Sequence, residues 1–109
     1  MNMSRQLHGV FIGINRFASP SINWLTCAER DAIALHSLFS DNLGGTNTLL
    51  TGREATRAKI KQECERLATC NEDDIVVLTF SGHGSETHEL VTYDANLSNL
   101  ADSCIPLSE

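Results

Sequence analysis

The chain has 109 residues, 41% of them hydrophobic and 20% charged, which is the size and balance of one ordinary globular domain. Eight basic side chains against fourteen acidic ones give a net charge of −6, and the basic residues are dispersed except between Arg53 and Arg66, where glutamates interleave them. This argues against a nucleic-acid partner. Nothing approaches the roughly 18 consecutive apolar residues of a membrane span, and the N-terminus lacks a signal-peptide pattern, so the expectation is a cytoplasmic protein with no membrane partner.

The first element is an apolar run over residues 7–14, continuous and not alternating, which predicts a central strand covered on both faces. Residues 15–24, with Ser19-Pro20-Ser21, predict a loop at its C-terminal edge, where α/β proteins place function. From Cys27 the spacing becomes helical: Ala28, Ala32, Leu35, Leu38 and Phe39 form an apolar face, and Gly44-Gly45 suits the stop. A short strand is expected at 46–50 and a turn at 51–54. Thr56 is then placed to cap a helix with Ile60, Cys64 and Leu67 on its buried face.

The densest apolar stretch follows. Ile75 to Phe80 predicts a buried strand, and it runs into Ser81-Gly82-His83-Gly84. A strand or hairpin arm is expected at 90–93 and irregular chain at 94–103. The order β-α-β-α-β, with connections long enough for crossovers, predicts an α/β sandwich around a mostly parallel sheet. Ile105-Pro106-Leu107-Ser108-Glu109 announces a helix that is not there, so the expectation is that residues 1–109 are the first portion of a larger domain.

A lone histidine behind a strand is ordinarily structural. Here glycines on both sides let the chain turn sharply and let another molecule approach, and Gly84 can offer a backbone N–H beside the imidazole. A base next to an oxyanion donor suits acyl transfer, which still requires a nucleophile. None of Cys27, Cys64, Cys70 and Cys104 is spaced as a zinc or disulfide pair, and none has a local setting that stabilises and exposes a thiolate. His88, five residues after His83, lacks a third ligand at usable spacing, so no metal or other cofactor is expected.

Val10-Phe11-Ile12-Gly13-Ile14-Asn15, Leu25 to Ala32, Glu54-Ala55-Thr56-Arg57 and Phe80-Ser81-Gly82-His83-Gly84 together resemble the first half of the caspase/metacaspase family of cysteine peptidases, with the metacaspase-like branch nearer. Tyr93-Asp94-Ala95 and the 105–109 ending fit the same pattern. The resemblance implies a caspase-like three-layer sandwich, incomplete in this chain, truncated before the strand that bears the nucleophile. It implies that His83 is the catalytic histidine of a Cys-His dyad and Gly84 an oxyanion-hole donor. Asp31 and Ser81 would line the pocket for the side chain before the cut, favouring a basic residue.

Local alternatives stand beside these roles: Asp31 pairing with Arg30 or Arg53, and Ser81 bonding the turn backbone. Asp102-Ser103-Cys104 imitates the family's nucleophile motif but follows a polar stretch and precedes Ile105-Pro106, which disqualifies it. The implied partners are a polypeptide substrate, the remainder of the peptidase domain carrying the cysteine, and regulatory or effector domains. An inactive caspase-fold interaction module is the alternative. A nucleotide-binding domain is disfavoured, because the turn at 15–19 has no glycine-rich phosphate cradle.

Overall fold

A computed structural model describes residues 6–84, 89–96 and 104–106. Strands β1 (Leu7–Gly13), β2 (Thr46–Thr51) and β3 (Ile75–Ser81) form a parallel sheet in the order β2-β1-β3, so the first strand of the chain is the middle one. Its side chains alternate between two covered faces. On one face Phe11 lies 5.5 Å from the ring of Phe39 and 5.7 Å, edge on, from that of His36, both on helix α1 (Ala28–Leu43). On the other, Val10 and Ile12 pack with Leu50, Ile60 and Leu67, the last two from helix α2 (Arg57–Ala68). Helices therefore cover opposite faces of the sheet, giving the expected three-layer α/β architecture.

The local signals act as their chemistry predicts. Thr56 caps α2 by accepting from the Lys59 N–H at 3.2 Å. Gly44 and Gly45 end α1 in left-handed backbone, at φ 66° and 87°, a conformation in which other residues are strained. Gly13 has a packing role: a Cβ there would sit 2.7 Å from the Ala32 Cβ and 2.9 Å from the Glu29 Cα, so its absence lets the first turn of α1 press against the end of β1.

Three expectations are corrected. The apolar run at 75–80 is not a buried central strand: β3 pairs on one side only among the described residues, and Ile75, Val76 and Leu78 are 44–49% exposed. Leu38, placed on the core face of α1, is exposed, because that helix buries only Ala28 and Ala32 fully. The arm expected at 90–93 is a two-residue strand, β4 (Glu89–Leu90), antiparallel to β5 (Ile105–Pro106). Val91, Ala95, Cys104 and Ile105 still join the core on the α2 face.

Candidate active site

The site lies at the C-terminal edge of the parallel sheet, where β1 and β3 end in register at Gly13 and Ser81. The Ile14 N–H donates to the Ser81 carbonyl at 3.1 Å, carrying the pairing one residue past β1. His83 comes two residues later. Its Nε2 is 2.9 Å from the carbonyl oxygen of Asn23, and its ring lies 5.4 Å from that of Phe17. A carbonyl oxygen can only accept, so this contact places a proton on Nε2 and leaves Nδ1 with the lone pair. The backbone is held as well, since the His83 carbonyl accepts from the Val91 N–H at 3.0 Å.

The chain bends at Gly82, as expected of the glycines beside His83. Neither Gly82 nor Gly84 has a positive φ. A Cβ on Gly82 would crowd the Phe80 ring at 3.0 Å, whereas one on Gly84 would meet nothing nearer than the Glu89 carbonyl at 3.9 Å. Gly84 bridges to Leu90 in the pairing that places Val91 N–H on His83, and among the described residues nothing accepts its own N–H. Among the described residues, a donor without an acceptor thus stands one residue after His83, on an exposed glycine.

Asp31 and Ser81, 50 positions apart in the chain, line one cavity of about 410 Å³ between α1 and β3. Ala34, Leu35, Thr79 and Phe80 complete its lining. The local partners that would occupy the two residues are not made: among the described residues Asp31 forms no ion pair with Arg30 or Arg53, and the Ser81 hydroxyl makes no bond to the turn. Thr79 Oγ1, buried in the same lining, also lacks a partner there.

A family model described as the caspase domain, Peptidase C14, matches residues 8–108. The chain belongs to the caspase-domain family. No curated protein matches it. The match takes in β1 through β5 almost entirely, so both the sheet edge bearing His83 and the cavity bearing Asp31 fall inside the caspase domain.

The cysteines of this caspase domain are scattered, and no disulfide joins any of them. Cys104 is fully buried in the core, where its thiol is out of reach of a substrate. Cys64 packs against that core from α2, and Cys70 donates through its thiol toward the Arg66 carbonyl at 3.8 Å. Cys27 is exposed at the N-cap of α1, which corrects the expectation that no cysteine is reachable. His88 and Asp102-Ser103 lie outside the described residues. Among those described, no cluster of three His, Cys, Asp or Glu side chains could hold a metal ion, and no helix is long and apolar enough to cross a membrane.

Four participants had no role in the sequence-based expectations. Asn15 and Glu29 bond reciprocally: the Asn15 N–H donates to Glu29 Oε2, and Asn15 Oδ1 accepts from the Glu29 N–H, both at 3.0 Å. Asn15 therefore caps α1 from 14 residues away, in place of Cys27, which makes no side-chain cap. An amide just beyond a strand, facing a glutamate in a helical first turn, is a signal that could have suggested it. Phe17 and the Asn23 carbonyl gave none, because every residue carries a carbonyl and an isolated loop phenylalanine points nowhere in particular.

Proposed function

We propose that this chain is the histidine-bearing part of a caspase-like cysteine endopeptidase, acting as a proteolytic hydrolase in the cytoplasm, with the nucleophilic cysteine outside this sequence. The observation that carries this reading is the Nε2–H···O contact to Asn23, which leaves Nδ1 of a half-exposed imidazole available for proton transfer beside an unused Gly84 N–H. The cysteine thiolate adds to the scissile carbonyl, and the Gly84 N–H donates to the resulting oxyanion. As the C–N bond breaks, the protonated His83 gives its proton to the leaving amine. Water, deprotonated by His83, then adds to the thioester and releases the carboxylic acid and the thiolate.

Asp31 and Ser81 favour a lysine or arginine before the cut, since a carboxylate at the wall of a cavity needs a cationic occupant once water is displaced. The test is cleavage of fluorogenic peptides by the chain joined to its cysteine-bearing portion. Arginine substrates should be cut, and Asp31→Asn should lower kcat/KM for them about two- to fivefold, as suits an ion pair with a solvent-exposed carboxylate. His83→Ala should abolish turnover with the melting curve retained. A preference for aspartate substrates would end the basic-pocket assignment, and absence of any reactive cysteine in the complete protein would favour an inactive interaction module.

A further inference from the structure

A second cavity, of about 340 Å³, has no role in the chemistry above. Phe17 connects the two: its ring packs on the His83 imidazole and also lines this cavity. Trp24 and Tyr93 form further aromatic walls, while Arg16, Arg53 and Glu29 supply the charge. The rim is assembled from three separate segments by backbone bonds. The Leu25 N–H donates to the Asn15 carbonyl at 2.7 Å, the Ala18 N–H to Tyr93 at 2.9 Å, and the Tyr93 N–H to Ala55 at 2.9 Å.

The two arginines are not neutralised internally. Arg16 lies over the Trp24 ring, 4.4 Å from its centroid, and among the described residues neither arginine forms an ion pair. Glu29 is the cavity's acid, yet its Oε2 is committed to the Asn15 N–H. Two cations and one anion leave a single positive charge. That balance matches the single charge of a carboxylate and is exceeded by a phosphate dianion.

We propose that this cavity is a second substrate subsite, which takes an aspartate or glutamate side chain of the polypeptide. The inference rests on the peptidase reading for the word substrate, and it predicts recognition by two pockets of opposite sign: Asp31 for a basic side chain, Arg16 and Arg53 for an acidic one. Arg16, over the Trp24 ring, and Arg53 pair with the carboxylate, and the aromatic walls cover the side-chain methylenes.

Trp24 is the sole tryptophan of the chain, so its emission reports on this cavity alone. The intact chain is titrated with the capped peptides Ala-Glu-Ala and Ala-Gln-Ala and with glutarate. The expected result is a saturable change with the glutamate peptide, no saturation with its glutamine counterpart, and weaker binding of glutarate. Arg53→Gln should weaken binding about two- to fivefold, as suits a solvent-accessible ion pair, and Arg53→Lys should restore most of it. Equal responses to glutamate and glutamine, an unchanged affinity in Arg53→Gln, or glutarate binding as well as the peptide would each overturn the proposal. The assay uses no nucleophile. A cysteine-bearing protein that cuts no peptide while Trp24 still saturates would therefore overturn only the peptidase reading, and an active peptidase with an indifferent Trp24 would overturn only the subsite.

Discussion

The imidazole Nε2 of His83 and the main-chain oxygen of Asn23 are 2.9 Å apart, although 60 residues separate them in the chain. The partner is a carbonyl, so the contact selects a tautomer as well as an orientation, and Asn23 side-chain chemistry is irrelevant to it. The neutral ring is expected to carry its proton on Nε2. Nitrogen NMR on the two ring positions, above the titration range of the imidazole, checks this directly. A dominant Nδ1–H form would remove the basis for assigning Nδ1 as the proton acceptor.

Asn15 anchors the start of α1 through its Oδ1 bond to the Glu29 N–H. Replacing it with alanine should cost about 1 kcal/mol, the usual worth of a helix cap, read as a lower urea midpoint at unchanged slope. Asn15→Asp keeps the acceptor but sets a second carboxylate against Glu29, so its stability should fall below that of the wild type. A midpoint unaffected by Asn15→Ala would show that water satisfies the helix end equally well.

Gly13 tests the contact between strand and helix. A methyl group there has to displace Ala32 and the backbone at Glu29, because the space is occupied from both sides. Gly13→Ala should destabilise the fold by about 1–3 kcal/mol, the ordinary cost of overpacking. The same substitution at Gly84, where a Cβ meets only the Glu89 carbonyl at 3.9 Å, should leave the melting temperature nearly unchanged.

Two carboxylates make stability depend on acid. The Gln6 backbone N–H is the main cause holding Asp74 below the usual carboxylate range; a smaller desolvation opposes it, and bonds from His8 and Asn71 assist. Burial pushes Glu63 up, but hydrogen bonds from Arg66 and Thr48, with the charges of Arg66 and Lys59, outweigh it and leave the group lowered. A folded pKa below the unfolded one means that the stabilisation is present above the unfolded value, about 4, and disappears as pH falls through the folded value. Urea midpoints measured from about pH 6 to pH 3 should therefore drop, and the drop should be smaller in Asp74→Asn. An identical acid dependence in that variant would mean its hydrogen bonds contribute nothing to the pH profile.

The sequence by itself determined the caspase-like resemblance, the β-α-β-α-β order, the Thr56 cap, the Gly44-Gly45 stop and the apolar faces of β1. Each depends on a residue's own conformational preference or on side-chain periodicity, which neighbours in the chain are enough to express. Tertiary structure alone decided that β3 pairs on one side only among the described residues, because an apolar run records what a strand can bury and not whether a neighbour covers it. It also decided the contacts that give the site its chemistry. The Asn23 carbonyl meets His83 and Asn15 meets Glu29 because parallel strands end together beneath the first turn of α1, whereas the shared pocket of Asp31 and Ser81 was already implied by the family resemblance.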